Sequence, residues 1–382
     1  CHDLVRAYAV EVGAARPGGP GALLAATRRM LDHYLHTALA ARQHINPAAP
    51  LPAAPPPRPG VSPERIVGYA EAMDWFAVER PVLICVLAVA VSSGLDTHAQ
   101  QLAVVLSDYL NLSGQWQEWE DVLRISLAAA QRRGDQAGQG WAELHIGDAL
   151  THLGRISEAP PHLEAARRLF ARSGDHAGRG NALCIMAVVH SEHRRFAPGL
   201  DHGRQSLAAY RQAGHLSGQA MALRVISWSL TELGQHEEAL TCCRQGLEIT
   251  AQTGDHAIAA RIKDTMGLIC LNRGRYAQAV AYHLEALGEC REFGHRWAVA
   301  DALIHLGQAY LARGDTDLAR RVWQEAIGIL DDLCHPDADD IRARLGHLDH
   351  SQAQPGVATS LWRLTAPAGS GRCCATSGWP PG

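Results

Sequence analysis

The chain has 382 residues, of which 47% are hydrophobic and only 5% are aromatic, and its formal net charge is −4. This composition favours a helical protein with a long core over a β-rich fold. The small negative charge excludes a generally basic surface that would bind nucleic acid or anionic membranes. The ten cysteines follow no regular spacing, and the longest apolar run, residues 82–91, is shorter than the roughly 18 residues of a membrane span. We therefore expect a cytoplasmic protein with reduced thiols.

Two helices are predicted before residue 45. Residues 2–9 read His-Asp-Leu-Val-Arg-Ala-Tyr-Ala, and residues 22–42 carry apolar side chains on one helical face. The octapeptide resembles the segment that closes the winged-helix part of NB-ARC-type STAND ATPases. This resemblance implies that residues 1–45 are a helical remnant of that domain, although an ordinary amphipathic helix would give the same local pattern. Because the chain begins with Cys1, we expect it to be a piece of a longer protein.

Proline dominates the next stretch. Residues 46–63 contain eight of the 19 prolines of the chain, so they cannot continue a helix and they favour extended backbone. We interpret them as a linker or an irregular surface loop that separates the first helices from the rest of the chain.

The following segment predicts the start of a repeat domain. The Trp-Phe-x-x-Glu-Arg sequence at residues 75–80 resembles the opening of the repeat domain in Streptomyces antibiotic regulatory proteins and related STAND regulators. Residues 95–133 then have the spacing of a helix pair. In this pair Trp116 and Trp119 replace small residues, so we expect its packing to differ locally.

A 40-residue unit is then repeated five times. A Gly-Asp or Gly-His pair begins at positions 134, 174, 214, 254 and 294, and a second turn mark follows at 154, 194, 234, 274 and 314. Such a period is typical of a solenoid. Helix-length segments with one apolar face lie between the marks, and glycine suits helix ends because it adopts the left-handed conformation without strain. Each unit is therefore predicted to be a helix pair that buries its apolar faces by stacking on its neighbours.

Small residues recur inside the units. In the first helix they are Gly147, Ala187, Ser227, Gly267 and Gly307, and in the second helix they are Ala159, Gly199, Ala239, Ala279 and Ala319. This pattern resembles the tetratricopeptide repeat, which usually has 34 residues. The resemblance implies an all-α, right-handed superhelical solenoid of helix pairs over residues 64–350, with the six additional residues of each unit at the start of its first helix. Residues 351–382 lack this pattern, and we predict that they form a disordered tail.

The sequence contains no recognised catalytic motif. His190 and His193 could face a metal from one helix, but no third ligand accompanies them, and 21 histidines make such a pair expected by chance. The only lysine, Lys263, does not follow a glycine-rich loop, which excludes a Walker A site within the chain. Asp175 and Asp255 are predicted to cap helix N-termini. We therefore predict a non-enzymatic protein with no cofactor and no metal site.

The first helices of tetratricopeptide units line a concave groove, and the resemblance places one set of positions on its inner face. The predicted groove residues are Asn181, Met221, Arg224, Trp228, Arg261, Asp264, Asp301 and Gln308. Arginine and tryptophan are enriched among the residues that dominate binding energy at interfaces. Arg224 and Arg261 are expected on neighbouring helices, where they could hold a carboxylate or phosphate group. In the alternative interpretation, the charged side chains pair with one another in a solvated groove.

The resemblance also implies a function. We expect a sensor and protein-interaction module of a STAND-type transcriptional regulator, without the DNA-binding and nucleotide-binding domains of such proteins. The expected partner is a protein, a peptide or a small effector, or the regulator's own nucleotide-binding domain, which the module would restrain. Direct binding of nucleic acid or membrane by this chain is not expected. The alternative is a free-standing tetratricopeptide adaptor or a peptide-pheromone receptor unrelated to STAND regulators.

Overall fold

The protein is all-α in the part that its computed structural model describes, residues 19–46, 54–292 and 295–353. These residues contain fifteen α-helices, one short 3-10 turn at Ile156–Glu158, and no β-strand. The helices are α1 (Gly19–Ile45), α2 (Tyr69–Ser92), α3 (Asp96–Leu112), α4 (Trp116–Arg133), α5 (Gln136–His152), α6 (Ala159–Ser173), α7 (His176–Glu192), α8 (Phe196–Gln212), α9 (Leu216–Glu232), α10 (His236–Thr253), α11 (His256–Asn272), α12 (Tyr276–Glu292), α13 (Arg296–Arg313), α14 (Thr316–Asp332) and α15 (Asp337–Ala353). The predicted helix at residues 2–9 and almost all of the predicted disordered tail lie outside the described residues.

Helix ends lie at the repeated marks. Gly174, Gly254 and Gly314 follow the last residues of α6, α10 and α13 with φ angles of 75°, 71° and 97°, which are unstrained only for glycine. The predicted N-caps are confirmed: the side chain of Asp175 accepts a hydrogen bond from the backbone N–H of Gly178, and that of Asp255 from Ile258. The glycine marks therefore report helix boundaries, as the sequence predicts.

The two helices of each repeat have nearly equal lengths. Helices α7 to α14 each contain 17 or 18 residues. Turns of two or three residues connect them. Residues 176–179, part of the predicted addition, form the start of α7, and the placement of all six additional residues in the first helix stays a prediction.

Helices α7 to α14 pack as consecutive pairs. Each first helix contacts its own second helix, and the first helices also contact one another, α7 with α9, α9 with α11, and α11 with α13. Ala159, Ala239, Ala279 and Ala319 are all fully buried, with 0% of their surface exposed. The predicted small positions are therefore where helices approach closely, and the predicted stack of helix pairs is confirmed. The side-by-side first helices form the surface on which a groove residue must lie.

The described residues divide into two compact units. The first contains residues up to Tyr109 together with Asp121–Gly138, and the second contains Leu110–Glu120 and the residues from Gln139 onward. In the first unit, the described part of the proline-rich stretch lies along α1, where the Arg58 guanidinium donates hydrogen bonds of 2.7 and 2.8 Å to both carboxylate oxygens of Asp32. His98 Nε2 lies 3.0 Å from the same carboxylate, which is only 5% exposed. This part of the stretch is an irregular loop fixed to α1 by a charge-assisted contact.

The two tryptophans of the divergent pair have defined packing partners in the second unit. Trp116 stacks on His152 with ring centroids 5.1 Å apart, and its edge contacts His335 at 5.3 Å. Trp119 is 1% exposed and lies beside His145, with centroids 5.8 Å apart. The predicted local difference in packing is thus an aromatic–histidine cluster where the other pairs use small residues.

Helix α2 is long and apolar enough to cross a membrane by length and composition alone. An 18-residue stretch of it has a mean hydropathy of 1.8, and 33% of that stretch is buried. The longest uninterrupted apolar run, residues 82–91, is only part of this helix. Core helices of soluble proteins meet the same criterion. Phe76 and Leu83 of α2 are indeed fully buried, and Phe76 stacks on Tyr109 with ring centroids 5.1 Å apart.

Alkylation of the native protein is expected to separate its cysteines by burial. Burial raises the pKa of the Cys243 and Cys290 thiols to about 12, whereas Cys85 and Cys334 are exposed. Because the thiolate is the reactive species, Cys85 and Cys334 should be modified well before Cys243 and Cys290 at neutral pH. Peptide mass spectrometry after timed alkylation measures the order, and modification in urea serves as the control in which all four react. Rapid native labelling of Cys243 would contradict the described core.

Candidate functional site

A pocket lies on the first helices of three consecutive repeats, α9, α11 and α13. Its empty volume is about 440 Å³, including space open to solvent. Residues three or four positions apart on one helix share a face, so each of the three helices contributes a short row of side chains. The lining residues are Arg224, Trp228, Ala260, Arg261, Asp264, Thr265, Leu268, Cys290, Trp297, Ala298, Asp301, Ala302 and His305.

Five of the eight predicted groove residues line this pocket: Arg224, Trp228, Arg261, Asp264 and Asp301. The other three do not line it. Asn181 accepts a hydrogen bond of 2.5 Å from the Tyr210 hydroxyl, Met221 is buried with 5% exposure, and Gln308 lies beyond His305 along α13. The structure therefore gathers the central part of the predicted set into one cleft, and binding by these residues stays a prediction.

One side of the pocket combines arginine and tryptophan. Arg224 is only 4% exposed, and Trp228 and Trp297 are 8% and 3% exposed. The Arg261 guanidinium lies over the Trp297 ring, 6.0 Å from its centroid, which is the geometry of a cation–π contact. A partly buried guanidinium next to an aromatic wall can bind a planar anion while apolar atoms of the same ligand contact the tryptophans.

Asp264 and His305 of the pocket lining form a cluster with the buried His283. Asp264 accepts hydrogen bonds of 2.7 Å from Nδ1 of His283 and 2.7 Å from Nδ1 of His305. The His283 and His305 side chains are 0% and 1% exposed, and that of Asp264 is 13% exposed. Asp301 Oδ1 lies 4.0 Å from Nε2 of His305. Because a carboxylate only accepts, both histidines donate from Nδ1 in this arrangement.

The electrostatics of the cluster follow from burial and proximity. Burial opposes the charge on Asp264, but His305 and His283 outweigh it and lower the pKa of this carboxyl far below its usual range. Burial lowers the pKa of His283, whereas the charges of Asp264 and Asp301 overcome burial and raise the pKa of His305 to about 9. Burial raises the pKa of Asp301 to about 7. At neutral pH the cluster therefore holds an Asp264 carboxylate, a charged His305 and a neutral His283.

Sequence reasoning missed His283, Trp297 and His305. An alignment of the repeats could have identified His283. Position 283 is equivalent to Leu163, Gly203, Cys243 and Trp323, all of which are buried. A histidine at a position that is otherwise in the core needs a polar partner. Asp264, on the first helix of the same repeat, is such a partner.

Comparison with known proteins matches most of the chain. A model of the tetratricopeptide repeat matches residues 138–212, 219–288 and 259–332. Regulatory protein AfsR of Streptomyces coelicolor is 29% identical over 262 residues, which cover 66% of this chain and 26% of AfsR. Regulatory protein AfsR of Streptomyces griseus is 25% identical over 388 residues, which cover 90% of this chain and 38% of that protein. The chain thus spans well under half the length of these relatives.

The fold also matches solved structures. A Rap protein complexed with competence and sporulation factor superimposes with a TM-score of 0.53, covering 73% of this chain and 82% of the Rap chain. The two sequences are 15% identical, so the likeness concerns the fold alone.

Proposed function

We propose that this chain is the sensor and partner-binding module of a STAND-type transcriptional regulator. Residues 138–212 and 219–332 match the tetratricopeptide repeat, and the chain is related to the AfsR regulators over much of its length, as its sequence predicts. The module binds a protein, a peptide or a small effector in the pocket of α9, α11 and α13. It works in the cytoplasm, and its partner controls whether it restrains the regulator's nucleotide-binding domain.

The observation that carries this proposal is the composition of the pocket. Arg224 and Arg261 line it together with Trp228 and Trp297, and three consecutive repeats build it. A guanidinium offers a fork of donors that matches a carboxylate or phosphate, and the indole rings supply apolar area. Asp301 lies in the same cleft and can accept hydrogen bonds from donors of the ligand. The pocket therefore favours a partner that carries an anionic group beside apolar atoms.

The same residues argue against catalysis as the role of this pocket. A hydrogen-bonded Asp264–His305 pair resembles the carboxylate–histidine pair of an acid–base catalyst. Here the neighbouring carboxylates keep His305 charged, so it cannot accept a proton as a base. The one thiol in the lining, Cys290, has a pKa of about 12 because it is buried, so it is protonated and a poor nucleophile. We therefore propose a binding role without an enzymatic step.

Substituting the two pocket arginines tests the proposal. Peptides with acidic or phosphorylated residues are selected from a displayed library with the wild-type chain, and their affinity is then measured by fluorescence anisotropy. Arg224→Ala/Arg261→Ala is expected to weaken binding at least tenfold, because it removes both anion-binding groups. Added salt should weaken binding to the wild type, because screening reduces the attraction between charges.

The matched control is Arg204→Ala/Arg291→Ala. These two arginines are exposed, pair with Glu238 and Glu325 on the second helices, and lie outside the pocket lining, so the net charge changes equally. The control should bind like the wild type, and circular dichroism should show equal helicity for all three proteins. Equal affinity of the pocket variant and the control would contradict the proposed site.

A second candidate function is a free-standing receptor or adaptor. The fold likeness to a Rap protein complexed with competence and sporulation factor favours it as the alternative. The DNA upstream of the Cys1 codon distinguishes the two. A continuous reading frame that encodes Gly-x-x-x-x-Gly-Lys followed by serine or threonine supports the regulator. A start codon directly before Cys1 supports the free-standing protein.

A further inference from the structure

Two pocket-lining residues, Asp264 and His305, belong to a three-residue cluster with His283 that the binding proposal leaves unused. Asp264, His283 and His305 lie on α11, α12 and α13, and one donor atom from each lies within 4.8 Å of those from the other two. Both histidines are almost completely buried, and the carboxylate lies between them. We propose that these three residues bind a divalent transition-metal ion of the zinc class, at a position that opens into the pocket.

The possible ligand atoms of the cluster face one another. Nδ1 of His283 and Nδ1 of His305 each lie 2.7 Å from an oxygen of Asp264. A metal binds imidazole nitrogens that carry no proton, so a bound ion would replace the protons that these two nitrogens donate to Asp264. Nδ1 is one of the two ring atoms through which histidine ligates metals.

The ligand chemistry selects the class of ion. Two imidazoles and one carboxylate suit zinc and its neighbours, whereas magnesium and calcium prefer a set made of oxygens. Bonds of about 2.0–2.2 Å around a tetrahedral ion require donors roughly 3.5 Å apart. The two separations of 2.7 Å must therefore open and any separation near the upper limit of 4.8 Å must close, each by about 1 Å, which small rotations of the histidine rings supply.

The surroundings supply the remaining features of such a site. Asp301 Oδ1 lies 4.0 Å from Nε2 of His305, where a carboxylate can orient the ring of a histidine that ligates through Nδ1. Asp264 and His305 line the pocket, which gives the ion a route from solvent and leaves one coordination position accessible to a ligand. Gly267 makes the geometry possible, because a Cβ there would lie 2.7 Å from Nδ1 and Nε2 of His283.

Metal titration of the purified chain tests the inference. The background carries Cys373→Ser/Cys374→Ser, so that this adjacent thiol pair does not bind the probe. After treatment with a chelator, the protein is titrated with Co²⁺, whose visible absorption reports tetrahedral coordination, and with Zn²⁺ by calorimetry. We expect one ion per chain and a spectrum without thiolate charge transfer. His283→Gln and His305→Gln should each weaken binding at least tenfold.

The matched control is His190→Gln/His202→Gln. These imidazoles also stand together, with ring centroids 4.9 Å apart, but no carboxylate lies between them in the contacts described for them. This control should bind Co²⁺ like the parent protein. Circular dichroism distinguishes lost ligands from lost structure, and the parent protein alone provides a second measurement, since bound Zn²⁺ should raise its thermal midpoint. Absence of stoichiometric binding to the parent, or undiminished binding by both glutamine variants, would overturn the inference.

Discussion

Replacing Gly307 by leucine is expected to destabilise the α13–α14 pair by about 3 kcal/mol, the upper end for overpacking a core. A Cβ at this position would lie 2.7 Å from Cε2 of Trp323 and closer still to its Nε1. Trp323 is 2% exposed, and its Nε1–H donates a hydrogen bond of 3.0 Å to the backbone carbonyl of Ile304. The inserted side chain must therefore displace a buried indole and leave its donor unpaired.

Gly328→Leu is the matched control within the same helix pair. Gly328 is exposed on α14, and no atom lies within 4 Å of the position that a Cβ would take. Leucine there removes the cost of a glycine inside a helix, so stability should stay equal or rise by about 0.5–1 kcal/mol. Urea unfolding followed by circular dichroism gives both free energies of unfolding. Equal midpoints for the two variants would show that Gly307 does not mark a close helix contact.

The location of the damage provides an independent check. Repeat units contact mainly their neighbours, so the loss of stability should concentrate near α13 and α14 and fade toward α7. Native-state hydrogen exchange resolves this gradient by peptide. Uniform loss of protection over the whole array would indicate that the array unfolds as a single cooperative unit.

The helix pairs were predictable because their determinants are local. Gly174 and Gly254 recur where the backbone takes a positive φ, and that requirement is visible in the sequence without knowledge of the fold. Ala279 and Gly307 recur where helices touch, so a fixed period exposes them even in one sequence. Arg194 shows the limit of this reasoning. It has a φ of 56° at the second turn of its repeat, where the other repeats have glycine. Arginine itself gives no sign of a turn, so only the 40-residue period identifies this position as one.

Features that depend on non-local contacts were not predictable. The partners of Trp116 come from residues 152 and 335, far apart in sequence, so its packing could not be read from its own helix. An uninterrupted apolar run did not identify the whole of helix α2, because its interior contains Glu79, Arg80 and Pro81, although an 18-residue stretch of the helix has a mean hydropathy of 1.8. The length of each helix within the 40-residue unit also required the structure.

In the candidate site, too, local positions were predictable and contacts between helices were not. Helical spacing placed Arg224 with Trp228, and Arg261 with Asp264, on shared helix faces, and the resemblance to the tetratricopeptide repeat placed these faces inward. All four residues line the pocket. Asn181 occupies the position equivalent to Arg261, yet it pairs with Tyr210 from the following helix. His283 was missed because it belongs to a second helix and reaches Asp264 only across Gly267. Positions were predictable from the period, whereas partners depend on which side chains the neighbouring helices present.

Acidification from pH 7 to pH 5 is expected to reduce the contribution that the N-cap of α13 makes to stability. His295 accepts a hydrogen bond of 3.2 Å at Nδ1 from the backbone N–H of Ala298, a role that requires a neutral ring. Burial and the nearby Arg261 charge lower the pKa of His295 to about 4. In the unfolded chain the same group takes up a proton below about pH 6.5.

The sign of the effect follows from proton uptake. Between pH 6.5 and about 4 the unfolded chain binds a proton at His295 that the folded protein does not, so the stabilisation from this group is full above this range and is lost on acidification. The expected loss between pH 7 and pH 5 is on the order of 1–2 kcal/mol. His215 caps α9 in the same way, and burial lowers its pKa too, so it adds in the same direction. Asp301 and His305, whose pKa values are raised, contribute with the opposite sign.

His295→Asn isolates this contribution, because asparagine caps a helix without titrating in this range. Relative to the wild type, the free energy of unfolding of the variant should rise between pH 7 and pH 5. Asp135→Asn is the matched control at the equivalent cap of α5, where Asp135 accepts a hydrogen bond from the backbone N–H of Gly138, and it should leave the slope between these pH values unchanged, since the unfolded carboxyl titrates near pH 4. Urea unfolding at several pH values supplies the three slopes. A His295→Asn slope identical to the wild type would mean that His295 is protonated equally in the folded and unfolded states, and that the cap of α13 does not depend on a neutral imidazole.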